Sequence, residues 1–162
     1  MGEVLDWEAL RARREEWRAN GEKVVFTNGC FDLLHPGHVR VLERARDCGD
    51  RLILAINSDA SVQRLKGPSR PILPQNDRAA TLAAFESIDA VTIFDQDTPE
   101  ELIAHIVPDV LVKGADWSHW IAGRETVEDA GGEVFPIPLE PGYSTTDVVQ
   151  RVIDRNQAAG TG

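Results

Sequence analysis

Short apolar runs alternate with helical patterns along the chain. "VVFTN" (24–28) predicts a strand, and the amphipathic stretch 37–48 after it predicts a helix. "RLILAIN" (51–57) predicts a second strand, followed by a short helix from Asp59 and a loop, "KGPSRPILPQN", holding three prolines. A helix is expected over 77–87, a third strand at "AVTIF" (90–94), and a helix opened by Thr98 as N-cap with Pro99 at its first position. "DVLVKG" (109–114) is a fourth strand, 122–130 a helix ended by Gly131 and Gly132, "EVFPI" a fifth strand, and "STTDVVQRVIDRN" the last helix. Strands this short and this continuously apolar are buried on both faces, and their alternation with helices predicts βαβ units. The expected fold is α/β: a Rossmann-like open parallel sheet of five strands with helices on both faces. In such sheets the ligand lies beyond the carboxyl ends of the strands. The loops after Asn28, Asn57, Phe94, Lys113 and Ile137 are therefore where the chemistry is expected.

The organisation expected is a helical extension over 1–22 packed on the outside, one domain over 23–155, and a flexible tail over 156–162. The 162 residues, 42% hydrophobic and 27% charged, fit one globular domain with a substantial core. No run approaches the ~20 apolar residues of a membrane span, and the charged, amphipathic N-terminus lacks the features of a secretory signal. The expected location is the cytoplasm. Cys30 and Cys48 form neither a disulfide framework nor a zinc motif. A net charge of −10 speaks against nucleic-acid or membrane partners. It does not speak against a phosphorylated small ligand held by local cations, which gives Lys66, Arg70, Arg78 and Lys113 their interest.

The richest stretch is "TNGCFDLLHPGH", from Thr27 to His38, at a strand-to-helix junction. His35 and His38 lack the further ligands that a metal site needs, Asp32 being the nearest oxygen donor. An anion site has a physical basis there. Pro36 suits an early helical position, Gly37 permits close backbone approach, and a helix N-terminus offers free N–H groups and partial positive charge. The three-residue offset sets both histidines on that opening turn. Capping or space-filling is the bland alternative.

These residues resemble the signature of the HxGH nucleotidyltransferases, matched at Thr27, Gly29, Phe31, Asp32, His35, Gly37 and His38. "GYSTTDVV" resembles that family's second element, in which Ser144, Thr145 and Thr146 would present hydroxyls and N–H groups to phosphates; ordinary N-capping is the alternative. The stretches "INSDASVQRLKGPSRPILPQNDRAATLAAFESIDAV", "TPEELIAHIVPDVLVKGADW", "GGEV" and "GYSTT" resemble the adenylyltransferases of ADP-heptose synthesis in their stand-alone form. The resemblance implies ATP and D-glycero-β-D-manno-heptose 1-phosphate as partners, Mg2+ carried with ATP as cofactor, and a homodimer. A cytidylyltransferase acting on glycerol 3-phosphate or another phosphorylated alcohol is the nearest alternative. "LEPGYSTT" lacks the Arg-Thr that precedes Gly-Ile-Ser-Thr-Thr in that group. A non-catalytic nucleotide sensor is the alternative of another class, and it would be expected to lose phosphate-contacting side chains that are present here.

The resemblance also implies roles. His35, His38 and Lys66 are the expected catalytic groups. Thr27, Asn28, Gly29, Phe31, Gly37, His38, Lys113, Gly114, Asp116 and Ser144 to Thr146 are expected around the nucleotide. Asp32, Arg70 and Arg78 are expected at the substrate phosphate or sugar, and no protein ligand set for a metal is expected. Because a phosphate nucleophile is already ionised, no general base is required, and the histidines are expected to act as hydrogen-bond donors.

Overall fold

The computed structural model describes residues 1–114 and 120–160. Its elements run β1 (Glu3–Val4), α1 (Trp7–Ala19), β2 (Val24–Gly29), α2 (Pro36–Arg46), β3 (Arg51–Asn57), α3 (Asp59–Lys66), α4 (Gln75–Ala83), β4 (Ala90–Phe94), α5 (Glu100–Ile106), β5 (Val110–Gly114), α6 (Arg124–Asp129), β6 (Glu133–Ile137) and α7 (Thr145–Ala159). The sheet has six strands in the order β1-β4-β3-β2-β5-β6, all parallel. The expected five strands are all present, and the sixth is the correction. β1 has no strand pattern of its own. It pairs because Glu3 donates to the Asp89 carbonyl and Leu5 to that of Val91, extending the β4 edge.

Strand alternation divides the core in two. Val25, Leu52, Leu54, Ile56, Val110 and Val112 face one layer, which α2 and α4 cover with Leu42, Ala45, Ala79 and Leu82. Val24, Phe26, Ile53, Ala55 and Leu111 face the other, covered by α1, α5 and α6 through Leu10, Trp17, Leu102, Ile103, Ile106 and Val127. So α1 is a core-forming layer and not an outer extension, because Leu10, Arg14 and Trp17 all turn inward at helical spacing. Arg14, 1% exposed, crosses that layer to bond the Val107 carbonyl and the Asp109 carboxylate, whose second oxygen accepts from Val24 N–H. Pro99, not Thr98, is the N-cap of α5. At the other end α7 continues through Ala159, past the boundary expected at 155.

From β2 the order steps outward through β3 and β4, then returns to β5 on the other side of β2. The topological switch therefore lies between β2 and β5, and both strands end at its crevice in Asn28-Gly29 and Lys113-Gly114. Among the described residues no helix is long and apolar enough to cross a membrane.

Candidate active site

His35 is the N-cap of α2, with extended backbone, and Pro36 opens the helix. The first turn of α2 contains no acidic residue, so nothing of its own sequence neutralises the partial positive charge there. The rings of His35 and His38 stack at 3.8 Å between centroids. The far faces of the pair are covered by Phe31, 5.0 Å from His38, and by Tyr143, 5.9 Å from His35. Phe31 takes a positive φ of 47°, and a Cβ at Gly29 would stand 2.8 Å from its ring. Gly29 is thus required by the Phe31 packing against which His38 leans. Gly37 is confined in the same way: a Cβ there would lie 2.9 Å from His35 Nδ1 and 3.0 Å from Tyr143 Cβ. Gly37→Ala is accordingly expected to displace the His35 ring and to lower kcat by ~10-fold or more through misalignment, with an unchanged far-UV circular dichroism spectrum.

The protonation state of His38 follows from its surroundings. Burial, then the neighbouring His35, then the Lys66 charge hold its pKa down to about 4. Burial also lowers that of His35, against an opposing pull from Asp147. His38 is therefore neutral near pH 7. Its Nδ1 accepts from the His35 backbone N–H at 3.4 Å, which leaves the proton on Nε2. The ring is a fixed hydrogen-bond donor beside a helix N-terminus. Because the folded pKa lies below the unfolded value near 6.5, the unfolded chain takes up this proton first as pH falls. The contribution of His38 to stability is whole above pH ~6.5 and is lost as pH falls from there to about 4. Denaturant midpoints measured across that window should fall more steeply for the unaltered chain than for His38→Ala.

The second wall of the crevice comes from α7. Ser144 is its N-cap, the hydroxyl accepting from Asp147 N–H at 3.1 Å, and Thr145 donates to the Leu33 carbonyl at 3.3 Å. Two of the three hydroxyls are thus engaged within the protein, while Thr146 is exposed at the helix opening. The α7 start is delivered to α2 by residues that the motif reading missed. Arg44 bonds Glu140 at 3.1 Å and the Pro138 carbonyl at 3.1 Å, Arg40 also bonds Glu140, and the Arg40 guanidinium lies 5.8 Å from the Tyr143 ring centroid. The i,i+4 spacing of Arg40 and Arg44 was the available signal.

Other expected site residues divide. Lys113 Nζ reaches Asn28 Oδ1 at 3.4 Å across the switch between β5 and β2, so these two meet. Gly114 ends β5 beside Leu139. Lys66 is the last residue of α3, not a loop residue; its side chain is exposed and its charge acts on His38. Asp116 lies outside the described residues. Three residues differ from expectation. Thr27 is buried and gives its hydroxyl to the Val112 carbonyl at 3.0 Å, so its side chain joins two strands and does not face a nucleotide. Arg78 is 1% exposed, and its guanidinium donates to the carbonyls of Leu73, Cys30 and Asn57 and to Asp59. It fastens the ends of β2 and β3 to α4 and has no face left for a substrate. Asp32, 5% exposed, accepts from the N–H groups of Ile72 and Leu73 at 2.9–3.0 Å, which makes it a loop anchor and not a substrate contact. Among the described residues there is no group of three or more His, Cys, Asp or Glu side chains that could hold a metal ion.

The model of the cytidylyltransferase-like family matches residues 26–151, a span that runs from within β2 through α2 and β5 into α7. The chain belongs to the cytidylyltransferase-like family. This places it among the nucleotidyltransferases. Curated relatives of this cytidylyltransferase-like chain include the bifunctional protein HldE of Methylobacillus flagellatus, 51% identical over 150 residues, which are 92% of this chain and 31% of that protein. HldE of Rhodopseudomonas palustris strain BisB18 is 56% identical over 137 residues, 84% of this chain and 28% of that protein. The chain thus spans about a third of the length of these relatives. Among solved structures, the lipopolysaccharide core biosynthesis protein from Thermoplasma volcanium aligns with a TM-score of 0.60 at 24% identity, covering 74% of this chain and 98% of that one. Pantoate-beta-alanine ligase from Francisella tularensis aligns with a TM-score of 0.61 at 13% identity, over 91% and 76%. At these identities the likeness is one of fold.

Proposed function

We propose that the chain is an adenylyltransferase that moves AMP from ATP to D-glycero-β-D-manno-heptose 1-phosphate, giving ADP-heptose and pyrophosphate. The observation that carries the chemistry is the neutral His38, its Nδ1 occupied by a backbone N–H and its Nε2–H left to donate beside the α2 N-terminus. The heptose assignment rests on the resemblance of the stretches between Ile56 and Thr146, supported by the HldE relatives at 51–56% identity.

In this reading an ionised oxygen of the sugar phosphate attacks the α-phosphorus of ATP. A new P–O bond forms, the bond to the β-phosphate bridging oxygen breaks, and pyrophosphate leaves with that electron pair. No side chain becomes a covalent intermediate and none removes a proton. Catalysis consists of alignment and of donors aimed where charge develops. His38 donates to the transferred phosphate, and His35 and Lys66 serve the neighbouring phosphates. Asn28, Gly29 and Lys113-Gly114 line the nucleotide crevice, with Phe31 and Gly37 shaping it and the α7 opening supplying N–H groups. Asp116 is proposed at a ribose or sugar hydroxyl. Arg70 serves the acceptor phosphate. Mg2+ would be held mainly by the phosphates of ATP and water, a mode that suits its hard, oxygen-rich coordination. A homodimer and a cytoplasmic location belong to the same proposal.

The test is a panel of pyrophosphate release with ATP or CTP, each with heptose 1-phosphate or glycerol 3-phosphate. Turnover is expected with ATP and heptose 1-phosphate. Turnover confined to CTP with glycerol 3-phosphate would make the chain a cytidylyltransferase, and nucleotide binding without turnover in any pair would make it a sensor.

A further inference from the structure

We propose that Asp32 is a positioning residue that holds the arm carrying Arg70 against the histidine loop and keeps the Arg70 guanidinium ready for the acceptor phosphate. The inference rests on the nucleotidyl-transfer reading above. Asp32 lies three positions before His35 and is almost wholly buried. Its Oδ1 accepts from Ile72 N–H at 3.0 Å and Leu73 N–H at 2.9 Å, and its Oδ2 from Ile72 N–H at 2.9 Å. The short bonds to the carboxylate therefore all come from backbone N–H groups. Arg70 Nη1 approaches Oδ2 at only 3.4 Å, well outside the ~2.7–2.9 Å of a strong charge-assisted bond. This is the one hydrogen bond that the Arg70 side chain makes among the described residues. Its side chain is 18% exposed, and a guanidinium carries several further donors in a fork suited to phosphate. Asp32 thus orients Arg70 without saturating it, and a phosphate can take the guanidinium while Asp32 keeps both of its N–H partners.

A second brace makes this placement stiff. Arg78 donates to the Leu73 carbonyl at 3.0 Å and to the Cys30 carbonyl at 2.6 Å. Residues 30 and 32 on the β2–α2 loop are therefore tied to residues 72 and 73 on the α3–α4 arm by a buried anion in one direction and a buried cation in the other. The histidines and Arg70 sit on the two sides of that double tie.

The test compares Asp32→Asn, Arg70→Ala and the double variant with the unaltered chain, using steady-state pyrophosphate release and amide hydrogen exchange. Asparagine offers an N–H2 where a backbone N–H must be accepted, so Asp32→Asn should release the arm. Expected is a rise of about tenfold in KM for the acceptor phosphate in each single variant, the size of one lost charge-assisted contact. KM for ATP should stay within about twofold, and the double variant should be no worse than the poorer single variant. Independently of turnover, the Ile72 and Leu73 amides should be protected from exchange in the unaltered chain and should lose protection in Asp32→Asn, while α2 keeps its own. Additive effects, an equal rise in both KM values, or unprotected Ile72 and Leu73 amides in the unaltered chain would each overturn the assignment. Should Asp32→Asn not fold, Arg70→Ala kinetics and exchange in the unaltered chain decide. A lack of turnover by the unaltered chain would refute nucleotidyl transfer, whereas the exchange pattern would still decide whether Asp32 holds the arm.

Discussion

His38→Ala is expected to lower kcat by ~100-fold or more while leaving the chain folded, a loss of the size found when one preorganised donor to a developing charge is removed. The reason lies in how fully the ring is determined. It is stacked on His35 at 3.8 Å, backed by Phe31, held by a hydrogen bond at Nδ1, and neutral because its pKa is about 4. An alanine removes the Nε2–H donor, and water in its place is not preorganised. Only half-buried packing is lost with it, so thermal denaturation should report a modest change. Because the ring is already neutral, the acid limb of kcat against pH should lie nearer pH 4 than the ~6.5 of a free histidine. Steady-state kinetics with a pH profile checks both statements, and near-normal turnover in His38→Ala would exclude the donor role.

Arg78→Met is expected to be the most destabilising single change near the site, by ~3–5 kcal/mol in denaturant unfolding. Methionine fills much of the volume but returns none of the donors. The carbonyls of Leu73, Cys30 and Asn57 would lose their shared partner at once, with the Asn57 contact wholly buried, and Asp59 would lose its cation. Since Arg78 touches no substrate in this account, the variant that remains folded at low temperature should keep a measurable kcat. A midpoint close to that of the unaltered chain would show that water replaces these donors.

The contrast between these two residues shows what the sequence made legible. The "HPGH" histidines could be read because a spacing of three at a strand-to-helix junction has few structures compatible with it, and His35 and His38 do share the opening of α2. The inner apolar strands were legible for the same kind of reason: Val24 to Phe26, Leu52 to Ile56 and Val110 to Val112 are buried on both faces, so their pattern is dense, whereas β6 departs from the expected two-sided burial because it is a sheet edge, with Glu133, Phe135 and Pro136 exposed. Arg78 was misread. A cation in an acidic chain suits a phosphorylated ligand, and that signal pointed outward to a substrate. The true cause is the demand of three strand-end and loop carbonyls for donors, which no local pattern displays. Asp32 was misread for the mirror-image reason, the demand coming from N–H groups 40 and 41 residues away. β1 left no trace because two exposed residues at a sheet edge need no apolar pattern, only free partners on β4. In α1 the period was present in Leu10, Arg14 and Trp17, but a charged residue in the middle of it concealed the buried face.

Everything proposed for this crevice depends on transfer of a nucleotidyl group. Its most direct test is phosphorus NMR of ATP with heptose 1-phosphate and Mg2+ in the presence of the purified chain. The three ATP resonances are expected to be replaced by those of pyrophosphate and a sugar-linked diphosphate in equal amounts, the new bond joining the α-phosphorus to the sugar phosphate. Release of the γ-phosphate with formation of ADP, or an unchanged ATP spectrum at a concentration of chain that binds ATP, would contradict it.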